Sequence, residues 1–364
     1  MPKASLRNKP LTLPMHSHEH FMERCLELAA RGKGKVAPNP MVGCVIVCNN
    51  IIIGEGYHEQ FGGPHAEVNA IKSVNDPHLL KEATLYVSLE PCNHQGKTPP
   101  CSDLIIEKEI PYVVVACLDE NPLVRGMGIQ KLILNGIDVK VGVLEKEAQF
   151  LNRRFFTSIT KQRPYILLKW AQSEDGFIDH DRDERDERAI ISSPESHTLV
   201  HQWRSEEAAI LVGTNTVISD DPQLTVRLID GKNPVRLTFD RQKRIPSTAK
   251  ILDGTSPTIV FTEGAHYYTD RAEFIPIDFS EDPLAQVMFI LHERKLESVL
   301  VEGGAALINK FLEQNLWDEA RVFVATKNIG SGVKAPVMKD NFTNEENVGI
   351  DKLFTYYRKE GLGD

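Results

Sequence analysis

Hydrophobic positions change period several times along the chain, and the changes mark out its elements. His18–Ala30 spaces Phe21, Cys25, Leu28 and Ala29 at intervals of one, three and four, the stripe of an amphipathic helix. Met41–Val47 is almost continuously apolar, and Asn49-Asn50 turns it into Ile51–Ile53, which predicts a hairpin. Gly54–His58 follows, and a helix is expected from Pro64 to about Val74, with Val68 and Ile71 on its buried side. Leu85–Leu89, Tyr112–Leu118 and Val139–Val143 read as strands, separated by helices at Cys101–Glu109 and Gly126–Asn135. That βαβαβ order predicts parallel strands with right-handed crossovers, and ligands beyond the strands' carboxyl ends.

Phe150–Arg163 reads as a polar, basic connector ending at Pro164. Beyond it Tyr165–Ala171, Ala208–Val212, Val235–Asp240, Thr258–Thr262 and Ser298–Glu302 are strand-like, the first too apolar to be half exposed. Asp179–Arg188 is dense in charge without apolar periodicity and reads as a solvated, mobile loop. Ser193-Pro194-Glu195 supplies a cap, a first-turn proline and a first-turn acid for a helix reaching about Arg204. Asp220-Asp221-Pro222 is expected to be a turn, and Gly303-Gly304 to lead into a helix from Ala305 to about Gln314.

At 364 residues the chain is long enough for two domains, expected at 16–160 and 164–357. A formal charge of −9 argues against nucleic acid as the main partner. No apolar run approaches bilayer-spanning length, so no membrane role is expected, and residues 1–15 lack the apolar core of a secretory signal. Of six cysteines, Cys25, Cys44, Cys48 and Cys117 lie in apolar stretches and read as inert core thiols. No disulfide framework is implied, and a metal-binding pair suits a reducing cytoplasm.

The candidate chemistry lies in residues 64–101. His65, Cys92 and Cys101 can hold Zn²⁺ tetrahedrally with a fourth position left for water, whose pKa then falls towards neutrality. Glu67, two residues after His65, suits a proton carrier beside that water; His-x-Glu followed by Pro-Cys is the pattern of zinc deaminases. The rival readings are a closed structural site with His94 as fourth ligand, or ordinary core cysteines with a turn histidine. Lys97, on a Pro/Gly-rich loop beside the metal, suits a phosphate or is a solvated lysine. Asn39, between two prolines, could equally satisfy its own backbone in a turn. The strand–Gly303-Gly304–helix step lets phosphate approach backbone N–H groups, but GxGxxG is absent, so no standard dinucleotide fold is claimed.

Pro38–Gly43, Gly62–Ala70 and Glu90–Cys101 resemble the deaminase half of the bifunctional riboflavin-biosynthesis deaminase/reductase family, over most of 16–150. Lys169-x-Ala171-x-Ser173-x-Asp175-Gly176, Val212-Gly213-x-x-Thr216-Val217, Asp220-Asp221-Pro222-x-Leu224-Thr225 and Val301–Gly304 resemble its reductase half, over about 165–325. The resemblance implies an α/β chain: a cytidine-deaminase-like α/β/α domain, then a dihydrofolate-reductase-like domain that uses NADPH. It implies Asn39, His58, His94 and Lys97 as contacts of a pyrimidine ribose phosphate in the deaminase. In the reductase it implies Lys169, Arg204, Asp220, Arg227 and Glu302 for the substrate, and Ala171, Gly213, Thr216, Asp240, Gly303 and Gly304 for NADPH. A cytoplasmic homo-oligomer, dimer or tetramer, is expected. Glu174 and the missing Gly-x-Ser-x-Trp segment depart from the family pattern and bear on sugar binding. Two alternatives remain open: a nucleoside or tRNA deaminase, against which the long cysteine gap counts, and a deaminase with a non-catalytic C-terminal domain.

Overall fold

The computed structural model describes residues 16–93, 99–121, 124–181 and 189–358. The chain forms two compact units, one from the residues up to Gly32 with Met41–Leu151, the other from Lys33–Pro40 with the chain from Asn152 onward.

The first unit runs α1 (His18–Ala30), β1 (Gly43–Cys48), β2 (Ile51–Tyr57), α2 (Ala66–Ser73), β3 (Thr84–Val87), α3 (Cys101–Glu107), β4 (Tyr112–Val115), α4 (Met127–Leu134), β5 (Asp138–Val141) and α5 (Glu145–Leu151). Its sheet has the order β2-β1-β3-β4-β5, antiparallel at β1 and parallel from β3 to β5. Asn49 and Asn50 both have positive φ, the conformation the hairpin requires. Alternation along β1 sends Cys44, Ile46 and Cys48 into one core layer with Ala66, Ala70, Ile105 and Leu132 from α2, α3 and α4. The hairpin's second strand extends beyond Ile51–Ile53 through Gly54–Tyr57. At Gly56 a Cβ would lie 2.3 Å from the Ala70 nitrogen, so glycine is what lets α2 lie directly on the strand. Val68 is half-buried; the buried face of α2 is Ala66, Glu67, Ala70 and Ile71, because it packs on β1 and β2.

The second unit runs α6 (Arg153–Lys161), β6 (Tyr165–Gln172), β7 (Phe177–Asp179), α7 (Pro194–Glu206), β8 (Ala209–Val212), α8 (Thr214–Asp220), β9 (Val235–Phe239), β10 (Thr258–Thr262), β11 (Tyr267–Tyr268), β12 (Glu273–Pro276), α9 (Pro283–Glu293), β13 (Ser298–Glu302), α10 (Ala305–Glu313), β14 (Glu319–Val324), β15 (Val333–Lys334), β16 (Asn344–Val348) and β17 (Asp351–Tyr357). Its sheet order is β11-β12-β10-β9-β8-β13-β6-β14-β17-β16, parallel from β12 to β14. Both faces are covered: Ile166, Leu168 and Trp170 of β6 enter one core layer and Leu167 the other. Ser193 caps α7 by accepting the Ser196 N–H at 3.3 Å.

One expectation needs correction, and one segment left unassigned gains an element. The polar stretch 150–163 is mostly helical, in α5 and α6, because its basic residues are partnered inside the fold: Arg154 pairs with buried Glu207, and Arg153 with buried Glu319 at 3.1 Å. The segment after Gly213 forms α8 before the chain turns at Asp221, whose φ is +41°. Of the charged run 179–188, residues 182–188 lie outside the described residues.

Candidate active sites

His65 is the N-cap of α2, which leaves its ring outside the helix while Glu67 lies in the first turn. Cys92 follows β3, and Cys101 opens α3. All three ligand atoms lie within 4.8 Å of one another, near the carboxyl end of β3. His65 Nδ1 stands 3.6 Å from Cys92 Sγ and 3.4 Å from Cys101 Sγ. In a tetrahedral zinc centre with usual bond lengths, the nitrogen–sulfur edges are about 3.5 Å. The donor set and its spacing therefore fit Zn²⁺.

Cys92 Sγ also accepts the Cys101 backbone N–H at 3.3 Å. The hydrogen bond from the Cys101 side chain, with help from His65, lowers the Cys92 thiol to about 4 against the opposing effect of burial. The Cys101 thiol moves upward, through that same contact and through burial. His65 is raised, chiefly by its bond to Cys92. Glu67 is buried, and burial together with the neighbouring Cys92 pushes its carboxyl up to about 7. Two residues after His65 in the first turn of α2, and electrostatically coupled to Cys92, Glu67 is a proton-carrying group beside the metal ligands. The other four cysteines are free and buried, as expected of core thiols.

His58 is buried, and its Nδ1–H donates to the Pro64 carbonyl at 2.9 Å, with its ring centroid 5.7 Å from that of His65. One side of the ring thus steadies the turn that presents His65. Asn39 lies in Lys33–Pro40, which packs with the second unit, and its N–H donates to the Val36 carbonyl at 2.9 Å. His94 and Lys97 lie outside the described residues.

In the second unit, Glu302 ends β13 and pairs in register with Lys169 of β6. Arg204, from α7, grips the Glu302 carboxylate with two bonds of 2.9 and 2.8 Å, and Lys169 Nζ stands 3.9 Å from it. Burial opposes ionisation, but Arg204 and Lys169 overcome it and hold Glu302 down at about 2. Arg227 donates its backbone N–H to His201 Nδ1 at 2.9 Å and its guanidinium to Thr225 Oγ1 at 3.1 Å. Burial, then Arg204 and Arg227, depress His201 to about 4, so it stays neutral among these cations. Sequence reasoning did not single out His201, although its position three residues before Arg204 on one helix face was a usable signal. Asp220 is the last residue of α8.

Gly213 caps α8, and Gly304 caps α10. Thr216 Oγ1 accepts the Gly304 N–H at 3.2 Å, joining the two glycine turns at the carboxyl ends of β8 and β13. Asp240, just past β9, accepts the N–H groups of Arg244 and Ile245 at 2.7 and 3.1 Å and so organises the next turn. Ala171 lies on β6 opposite Phe323 of β14. Gly213, Thr216, Gly303 and Gly304 are thus brought together, with the Thr216 hydroxyl oxygen 3.1 Å from where a Gly303 Cβ would lie.

The family described as RibD C-terminal domain matches residues 164–356, and that described as the cytidine and deoxycytidylate deaminase zinc-binding region matches 15–117. The riboflavin biosynthesis protein RibD of Aquifex aeolicus is 43% identical over 320 residues, covering 86% of this chain and 88% of its own. That of Bacillus amyloliquefaciens is 38% identical over 364 residues, covering 94% and 97%. The crystal structure of a diaminohydroxyphosphoribosylaminopyrimidine deaminase/5-amino-6-(5-phosphoribosylamino)uracil reductase from Thermotoga maritima is similar with a TM-score of 0.84 at 40% identity, covering 93% of this chain and 97% of that one. RibD of Acinetobacter baumannii gives 0.84 at 34% identity, covering 93% and 98%. The chain belongs to the RibD family of riboflavin biosynthesis, which joins a zinc-dependent deaminase to an NADPH-dependent reductase.

Proposed function

We propose that His65, Cys92 and Cys101 hold the zinc and that Glu67 is the acid/base of a hydrolytic deamination. The substrate is 2,5-diamino-6-ribosylamino-4(3H)-pyrimidinone 5′-phosphate, which loses its 2-amino group. Zinc at this centre supplies the Lewis acidity that makes water a usable nucleophile near neutral pH. Glu67 accepts a proton from the water that attacks C2 and delivers it to the adjacent ring nitrogen. It then relays the second proton to the amino group, so that the C2–N bond breaks with release of ammonia and C2 is left as a carbonyl. Asn39, His58, His94 and Lys97 contact the pyrimidine and its sugar phosphate. The observation that carries this reading is the pair of nitrogen–sulfur distances, 3.6 and 3.4 Å, beside the buried Glu67.

In the second reaction Lys169, Arg204, Asp220, Arg227 and Glu302 hold the deaminated product, and Ala171, Gly213, Thr216, Asp240, Gly303 and Gly304 line the NADPH site. NADPH supplies the hydride that converts the ribosyl side chain to ribityl. One buried carboxylate, Glu302, faces two cations, Lys169 and Arg204, and Arg227 lies near enough to act on the same His201. That excess of positive charge suits a phosphate. Among the described residues no helix is long and apolar enough to cross a membrane, and thiolate ligands favour a reducing cytoplasm. A dimer or tetramer is our expectation, to be read by light scattering.

Ammonia release from this pyrimidine tests the assignment. Glu67→Gln should keep its zinc and lose about 10²–10⁴-fold in turnover, while NADPH oxidation with the deaminated product stays unchanged. Wild-type activity in Glu67→Gln, or ammonia release from cytidine or tRNA in place of this substrate, would overturn it.

A further inference from the structure

Glu90, immediately before Pro91-Cys92, is buried, and its carboxylate gathers backbone N–H groups. Oε2 accepts from Asp119 at 3.3 Å and Gly126 at 2.9 Å; Oε1 accepts from Gly128 at 2.9 Å and Ile129 at 3.4 Å. Gly126 is the N-cap of α4, so the carboxylate sits at the positive end of that helix. The Glu90 N–H itself donates to the Cys117 carbonyl at 3.0 Å. The first turn of α4 comes so close that a Cβ at Gly128 would lie 2.0 Å from the Pro91 carbonyl oxygen. On its other side Cys92 is held by α3, through the Cys101 N–H to its sulfur at 3.3 Å and the Ser102 N–H to its carbonyl at 3.2 Å.

We propose that Glu90 is a positioning residue for the metal centre. It fastens Pro91-Cys92 to the start of α4 and thereby sets where the Cys92 sulfur stands relative to Cys101 and His65. The inference rests on Cys92 being a zinc ligand. Two carboxylate oxygens meet four donors, a match no other side chain of this length offers. Glutamine has one acceptor oxygen, and its NH₂ group would face two N–H groups. Aspartate keeps the charge but is one methylene short of donors that cannot follow it, since the Glu90 backbone is tied to Cys117. Partners that orient a metal's ligands are worth about 10–100-fold in metal affinity, and Glu90 acts on the ligand Cys92 through the single intervening residue Pro91.

The test is competition for Zn²⁺ between a chromophoric chelator and the full-length wild type, Glu90→Gln, Glu90→Asp and Cys92→Ser. It is run at a temperature where circular dichroism shows each metal-free chain folded. Glu90→Gln should bind zinc about 10–100-fold more weakly, Glu90→Asp should fall between it and wild type, and reductase turnover should not change in either. If Glu90→Gln does not fold, Glu90→Asp carries the test with the same sign. Affinities within twofold of wild type for the Glu90 variants, with Cys92→Ser strongly weakened, would overturn the positioning role alone. Undiminished affinity in Cys92→Ser would overturn the ligand reading and the positioning role together.

Discussion

Glu302→Gln removes the charge that balances Arg204 and Lys169 while nearly preserving shape. Its magnitude follows from the site. The carboxyl is held at about 2 against an ordinary 4.5, and its side chain is only 10% exposed, so solvent screens the pairing little. Lowering a carboxyl's pKa tenfold in acid strength corresponds to about 1.4 kcal/mol, which gives roughly 3 kcal/mol of stability near neutral pH. Removing one partner of a buried ion pair typically costs about 3–5 kcal/mol, in agreement. Because the folded-state value is depressed, this contribution is complete above the unfolded value of 4.5 and fades as the pH falls towards 2. The difference between wild type and Glu302→Gln should therefore shrink from roughly 3 kcal/mol at pH 6–7 to about 1 kcal/mol near pH 3. All three tryptophans, Trp170, Trp203 and Trp317, belong to the second unit, so urea unfolding followed by tryptophan fluorescence reports on that unit. A difference below about 1 kcal/mol at pH 7, or one that does not change with pH, would refute the pairing as described.

Two further predictions follow from the first unit. Chelation of zinc should abolish ammonia release and leave NADPH oxidation with the deaminated product intact; parallel loss of both activities would contradict separate sites. Gly56→Ala would bring a Cβ to 2.3 Å from the Ala70 nitrogen and push α2, with His65 and Glu67, off the sheet. The overpacking should cost about 1–3 kcal/mol and weaken zinc binding, and a chelator titration that matches wild type would refute that packing.

The metal centre was legible because its ligands are few, chemically unusual and carried on short segments at strand and helix ends. His65, Cys92 and Cys101 sit at such ends, and the βαβ order already directs attention there. Strands such as β6, buried on both faces, were equally plain from their unbroken apolar runs. What escaped was the use of polar residues inside the fold. Arg153 and Arg154 look solvated in sequence, yet their partners Glu319 and Glu207 lie 166 and 53 residues away. The Arg204–Glu302 pair, 98 residues apart, likewise depends on register, which spacing does not encode. His58 illustrates the same gap, since its bond to the Pro64 carbonyl depends on how the turn before α2 folds back.

The central claim is a zinc ion gripped by one imidazole and two thiolates with one position open to solvent. X-ray absorption on the zinc-loaded full-length chain reads that directly. The account predicts two sulfur neighbours at about 2.3 Å and two nitrogen or oxygen neighbours at about 2.0–2.1 Å, of which only one is an imidazole. A shell without sulfur, or one closed by a second imidazole, would contradict it.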